Sequence, residues 1–395
     1  MRLLFLCPFL PVQGMHAGGG RMFSLIREHS RRHSVSVISF VGDDDIPRIP
    51  ELERHCERVI PVGRCTQPSI PWPSVVPRVI LEGFESAEMP RYIRSFMAEH
   101  PVDAVTVEYV LMSRYLPPGP PSVLVVHEFM TLAAWREWRN APRRARTGAF
   151  LRMLKTLCFE DRVYRRFDRL VALTRTEMDL IRLLFPWADV TLAPMGADGR
   201  VFFPRPGAGK AIDLLFVGNF FHPPNVDAMR FFCGEIFPAV LAARPETTLA
   251  IVGYRSREVL AGFDRHPNVS IEGRVPDLTS YLARSKVFIN PVRLGSGMRG
   301  KVVEAMAMGR PVVSTSVGAD GLDAAPGGEI VVADEPGEFA RAVLRLLGSE
   351  GERARIGTGG RALFERRYDW RMVAETMERL YAGIARGGEG KGGRP

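Results

Sequence analysis

Short apolar runs rich in β-branched residues recur along the chain, separated by longer stretches whose apolar residues return at helical spacing. In the first half the runs are LLFLCPFL (3–10), VSVISF (35–40), AVTVEYV (104–110), SVLVVHEF (122–129), DRLVALT (168–174) and DVTLAPMG (189–196). In the second they are IDLLFVG (212–218), TTLAIVG (247–253), VSIEG (269–273), KVFINPV (286–292), PVVST (311–315) and EIVVA (329–333). Each is expected to be a strand. A Gly-rich loop, GMHAGGGR (14–21), follows the first run and leads into a helix expected near 22–33; PGEFARAVLRLLGS (336–349) is a clear amphipathic helix. Apolar strands alternating with helices imply parallel sheets covered on both faces. The Pro- and Gly-rich stretch FFPRPGAGKA (202–211) reads as a linker between two such series. The expectation is an α/β chain of two Rossmann-like, doubly wound halves facing a central cleft: 1–205 and 206–368, then a helix over 369–385 and a disordered tail over 386–395.

Composition adjusts this picture little. The 395 residues, 46% hydrophobic and 25% charged, suit an ordinary globular protein of two or three domains. Five scattered cysteines (Cys7, Cys56, Cys65, Cys158, Cys233) include no C-x-x-C pair, which points to a reducing compartment and no structural zinc. Pro8 and Pro11 interrupt the first apolar run and no A-x-A site follows, so a buried strand is expected there rather than a signal peptide. No run of about 18 apolar residues predicts a membrane span. The expected location is cytoplasmic.

Charge does change the picture. The net charge is +9, and residues 135–169 hold eleven Lys/Arg against four Asp/Glu. Trp135, Trp138, Phe150, Leu151, Leu154 and Leu157 interrupt these charges. One reading is a solvated helical face. The other is a surface lying on anionic headgroups, peripheral at the inner face of a membrane. Nucleic acid is not the expected partner.

Candidate chemistry centres on GSGMRG (295–300), which has the G-x-G-x-x-G spacing of a dinucleotide fingerprint. The context argues against that use. Pro291 and VRL stand between the preceding strand and Gly295, and no acid sits at the end of the next strand, PVVST, to bind ribose. A helix is expected from near Met298 to Gly309, with Gly297, Gly300, Lys301 and Glu304 on one side. Its N-terminus would offer N–H groups to a phosphate, Lys301, Arg299 and Arg293 would add countercharge, and Glu304 would accept hydrogen bonds from sugar or ribose hydroxyls. The ligand indicated is a nucleotide diphosphate carrying a sugar. The bland alternative is a Lys301/Glu304 surface pair.

The stretch SIEGRVPDLTSYLARSKVFINPVRLGSGMRGKVVEAMAMGRPVVSTSVGADGL (270–322) resembles the signature block of the retaining GT-B-fold glycosyltransferases of family 4, the glycosyl transferases group 1. DVTLAPMGADGRVFFP (189–204) and LFVGNFFHPPNVDAMRFF (215–232) resemble further parts of it. The resemblance implies the GT-B fold, with the second domain binding a nucleotide-sugar donor, the first a sugar or lipid-linked acceptor, and the last helix returning to the first domain. It implies no metal and no cofactor beyond the donor. It places donor contacts on Gly218, Asn219, Gly273, Val275, Arg293, Gly295, Ser296, Gly297, Met298, Arg299, Lys301 and Glu304. Ser296 stands where many members have the first of two glutamates seven residues apart, and GNFFHPPN lacks the Arg and Lys many members carry there. It also puts His127 near the reacting sugar and Gly18, Gly19, Gly20 and Arg21 on the acceptor side. Competing assignments are an NAD-dependent oxidoreductase, a silent sugar-nucleotide binder and an epimerase of the same fold.

Overall fold

Hydrogen bonding of the apolar runs side by side gives two parallel sheets. The computed structural model describes residues 1–13, 17–63, 84–207, 209–262, 266–295 and 297–388. The chain divides into two compact units, Met1–Pro194 with Val373–Pro395, and Met195–Met372. The first boundary thus falls ahead of the Pro- and Gly-rich stretch, where 205 was expected.

The first unit contains Arg2–Cys7 (β1), Ser34–Val41 (β2), Arg58–Gly63 (β3), Ala104–Glu108 (β4), Ser122–Val126 (β5), Arg169–Ala172 (β6) and Val190–Leu192 (β7). They pair in the order β3-β2-β1-β4-β5-β6-β7, every pairing parallel. The winding reverses between β1 and β4, and ligands of such sheets bind outside the carboxyl ends of strands at that point. β3 was not expected. Its sequence, RVIPVG, carries Pro61, which an edge strand tolerates because one side makes no ladder bonds. The first helix spans Ala17–His29, so Gly18 to Arg21, expected in a loop, form its first turns. Residues 14–16 of that expected loop, and Cys65, lie outside the described residues.

The second unit contains Ile212–Val217 (β8), Leu249–Val252 (β9), Val269–Gly273 (β10), Ser285–Asn290 (β11), Val312–Ser314 (β12) and Val331–Val332 (β13). Their order is β10-β9-β8-β11-β12-β13, again wholly parallel, with the switch point between β8 and β11. Alternate side chains feed two apolar layers. Leu214, Phe216, Leu249, Ile251, Val287 and Ile289 join one, while Leu215, Ala250, Val252 and Phe288 join the other with Val302, Val303 and Met306. The last helix spans Trp370–Gly388, and from Val373 onward it belongs to the first unit, where Tyr381 Oη and Thr106 Oγ1 share a hydrogen bond of 2.8 Å. The expected tail at 386–395 therefore begins as helix, and 389–395 lie outside the described residues.

Candidate functional site

In the second unit the site is built at the carboxyl ends of β8 and β11. β11 ends at Asn290, and Pro291 to Gly295 and Gly297 to Arg299 lie between it and the helix Gly300–Ala307. Gly295 and Gly297 take φ of 89° and 83°, backbone that a residue with a Cβ adopts only under strain. Gly297 therefore lies before the helix, not on its face as expected, and Met298 is likewise outside it. Ser296 lies outside the described residues. No side chain caps the helix at Arg299, so its first N–H groups point outward unengaged by a cap. Buried Val302, Val303 and Met306 hold its other face against the sheet.

The charged residues separate into two groups. Lys301 donates to Asn225 Oδ1 (2.9 Å), and its Nζ stands 4.0 Å above the Phe216 ring. Burial drives the Lys301 ammonium well below its usual range, with Arg299 adding to the effect. Glu304 follows one turn later. Burial pushes its carboxyl up to about 7 although Lys301 pulls the other way. Both side chains remain partly accessible, and an amine and a carboxyl that packing pushes toward their neutral forms are poised to gain from a charged, hydrogen-bonding ligand. Arg299 donates to Leu294 O (3.2 Å) and lies over Gly295. Arg293 is engaged differently from the expectation. Its guanidinium forms a two-toothed pair with Asp227 (2.9 and 3.1 Å) and sits 4.0 Å over Phe231, so its charge is already matched within the protein.

Gly218 follows β8 directly, and a Cβ there would sit 2.9 Å from the Asn225 amide carbon. Asn219 holds the same turn: its Oδ1 accepts from Phe221 N–H (2.9 Å) and its carbonyl from Asn225 Nδ2 (2.8 Å). Gly218, Asn219, Asn225, Lys301 and the start of the Gly300 helix are thus joined by direct contacts. Gly273 closes β10, accepting from Gly253 N–H (2.7 Å) and donating to Ser256 Oγ (3.1 Å). Val275 is packed on the apolar layer nearby. Asn225 and Phe216, which set the Lys301 ammonium, were not singled out in the sequence. The Asn of HPPN was the available signal.

In the first unit His127 leaves the end of β5, and its ring is almost wholly covered. Its Nε2–H donates to Glu108 Oε2 at 2.6 Å, which leaves Nδ1 as the acceptor nitrogen. Burial lowers the imidazole below its ordinary range while Glu108 opposes the shift. Tyr109 stacks on the ring, centroids 3.6 Å apart and planes within 4°. Its backbone has φ 70°, an uncommon and strained setting for a residue with a side chain. The strain places the Tyr109 hydroxyl where a Cβ on Gly18 would lie 2.0 Å away, which is why glycine stands there. Gly19 faces the carbonyl of Val12, while Gly20 has open space. Arg21, expected at the acceptor surface, is instead fully buried: it pairs with Glu108 at 3.7 Å and donates to Ala193 O at 3.1 Å. Glu108 and Tyr109 were missed as site residues. The signal was a carboxylate inside an otherwise apolar strand, AVTVEYV.

The basic segment forms two helices, Met130–Asn140 and Arg143–Tyr164. Trp135, Phe150, Leu151 and Leu154 are exposed, at 37%, 37%, 52% and 37%. Arg139 covers Trp135 and Arg146 covers Trp138 as cation–π pairs. Leu157 packs on the core instead. No helix among the described residues is long and apolar enough to cross a membrane.

Residues 211–349 match the family model described as Glycosyl transferases group 1. The GDP-mannose-dependent monoacylated alpha-(1-6)-phosphatidylinositol monomannoside mannosyltransferase of Corynebacterium glutamicum is 31% identical over 158 residues, 37% of this chain and 42% of that protein. The chain spans about half the length of the curated relatives it matches. Among solved structures, sucrose-phosphate synthase from Thermosynechococcus elongatus superposes with a TM-score of 0.71 at 16% identity, covering 98% of this chain and 100% of that one. HepE from Anabaena, solved with UDP and glucose, gives 0.66 at 14% identity over 97% and 100%. The chain has the GT-B fold of two Rossmann-like domains.

Proposed function

We propose that the protein is a retaining glycosyltransferase of the family 4 type, moving a sugar from a nucleotide diphosphate sugar to an acceptor hydroxyl in polysaccharide or glycoconjugate synthesis. The observation that carries this reading is the uncapped N-terminus of the Gly300 helix, with Lys301 and Glu304 in its first turns, at the β8/β11 switch point. That position suits a diphosphate. In the reaction the bond from the anomeric carbon to the diphosphate oxygen breaks, the acceptor oxygen bonds to that carbon on the same face, and the acceptor hydroxyl's proton passes to the departing diphosphate. Negative charge grows on the leaving diphosphate. The helix N–H groups, Lys301 and Arg299 offset it, and Glu304 accepts from hydroxyls of the donor. His127, neutral and oriented by Glu108, orients reacting hydroxyls in the acceptor-side unit. An NAD-dependent oxidoreductase fits poorly, since β12 ends at Ser314 without a ribose-binding acid. Release of nucleoside diphosphate from UDP-, GDP- or ADP-sugars in the presence of glycolipid or oligosaccharide acceptors tests the assignment. Donor binding without release or transfer would identify a silent binder.

No metal is required in this scheme, because protein cations do the work. Turnover is expected to persist in excess EDTA at a temperature where the metal-free chain is folded. Loss of turnover with recovery in Mg²⁺ or Mn²⁺ would refute it.

The acceptor proposed is lipid-linked, reached while the helices Met130–Asn140 and Arg143–Tyr164 lie on an anionic bilayer. The mannosyltransferase relative named for a phosphatidylinositol monomannoside supports that class. Each Lys or Arg near such a surface contributes about 1 kcal/mol, so a few suffice for reversible docking. Co-sedimentation with anionic vesicles is expected to fall at high salt and when Arg143, Arg144 and Arg146 become Ser. Equal recovery in the supernatant with and without anionic vesicles would exclude docking.

A further inference from the structure

One group of ligating side chains has no part in the chemistry above. The helix Ala17–His29 ends on His29, and the chain turns at once, with the N–H groups of Arg32 and His33 donating to the His29 carbonyl (3.0 and 2.9 Å). This turn brings the His33 imidazole beside that of His29. Glu378, on the helix Trp370–Gly388, completes the group. One ligand atom from each of the three lies within 4.8 Å of the others.

The imidazole of His29 is the unusual member. It is fully buried, and neither Nδ1 nor Nε2 has a hydrogen-bond partner. The rings of Phe5 and Tyr381 flank it at 6.4 and 5.5 Å, and the Tyr381 hydroxyl is already bonded to Thr106. His33 Nε2 is also buried without a hydrogen bond and stands 3.7 Å from Glu378 Oε1. Buried polar nitrogens without partners are rare in folded proteins and call for an explanation such as a bound ion.

We propose that His29, His33 and Glu378 form a binding site for a divalent transition metal of the zinc class, with solvent in the fourth position. Two imidazoles and one carboxylate are a borderline donor set, which suits zinc and its neighbours better than the oxygen-seeking Mg²⁺ or Ca²⁺. Tetrahedral ligands at about 2.1 Å from a metal lie roughly 3.4 Å apart, so the side chains must close by about an ångström. His33 and Glu378 are only partly buried and can make that adjustment. Two positive groups compete with the ion. Arg32 donates to Glu378 Oε2 at 3.0 Å, and the Met1 nitrogen lies 3.3 Å from His33 Nδ1. The charge of Arg21 also acts on His29. A bound ion would tie the first helix, which carries Arg21, to the last helix of the same unit. The cysteine pattern gave no hint of this, since no cysteine takes part.

The test uses the full chain, stripped with chelator, dialysed and titrated with zinc chloride by calorimetry. Cobalt(II) is added in parallel as a spectroscopic probe. The expected result is one equivalent of zinc, a higher melting temperature on loading, and the visible ligand-field bands of tetrahedral cobalt. His33→Ala and Glu378→Gln each weaken zinc by about tenfold or more while keeping the wild-type far-UV circular dichroism. Arg32→Ala, which frees Glu378, binds zinc more tightly. Absence of binding by the wild type, or equal affinity in the His33→Ala and Glu378→Gln chains, would overturn the proposal. None of these readouts depends on glycosyl transfer.

Discussion

Glu304→Gln is expected to keep the fold and lower turnover about a hundredfold, the scale of losing about 3 kcal/mol of preorganised interaction in the transition state. The side chain sits one turn inside a helix whose other face is locked by Val302, Val303 and Met306, so its position does not depend on its own charge. The pH profile supplies the sign. Burial raises the Glu304 carboxyl to about 7, so in the free protein its ionised form is gained as pH rises through that value. The ionised carboxylate is the stronger acceptor, so kcat/KM for the donor is expected to climb through about pH 7 in the wild type. The Gln variant should lack that rise. For folding the sign is opposite: a carboxyl raised in the folded state contributes stability that is present at low pH and lost as pH climbs to about 7. A variant with wild-type rates and an unchanged profile would remove Glu304 from the site.

The second large effect is on stability. Glu108→Ala leaves the guanidinium of Arg21 fully buried without its countercharge, and deprives His127 of its 2.6 Å acceptor. Removing one member of a buried ion pair costs about 3–5 kcal/mol. That is a large share of the roughly 5–15 kcal/mol that holds a typical domain folded. Urea denaturation followed by circular dichroism measures it. Replacing both partners, as in Arg21→Met with Glu108→Leu, removes both charges and is expected to recover much of the loss. A Glu108→Ala chain within about 1 kcal/mol of wild type would show that Arg21 does not rely on Glu108.

Much of the fold was legible because a strand buried on both faces must be apolar throughout. β1, β8, β9 and β11 announce themselves through the apolar runs LLFLC, LLFV, LAIV and VFI, whereas β2 alternates serines with Val, Ile and Phe. β3 escaped because Pro61 masks it and only its place at the sheet edge makes that proline tolerable. The residues around the start of the Gly300 helix were legible as a linear motif, since a helix N-terminus and its glycines are local in sequence. Even there, the pairing of Arg293 with Asp227, 66 residues earlier, is a tertiary fact. In the first unit, His127 was visible at a strand end, but the Arg21–Glu108–His127 chain joins three separate elements across the β1/β4 switch point and no spacing encodes it. The helix start at Ala17 was hidden by three consecutive glycines of low helix propensity, one of which, Gly18, is required where the Tyr109 hydroxyl approaches.

The most direct test of the central claim is calorimetric titration of the full chain with UDP-, GDP- and ADP-sugars and, separately, with NAD⁺. Saturable binding of at least one nucleotide diphosphate sugar is expected, weakened when Lys301 is replaced by Ala, with no comparable binding of NAD⁺. Saturable NAD⁺ binding with no response to any sugar nucleotide would contradict it.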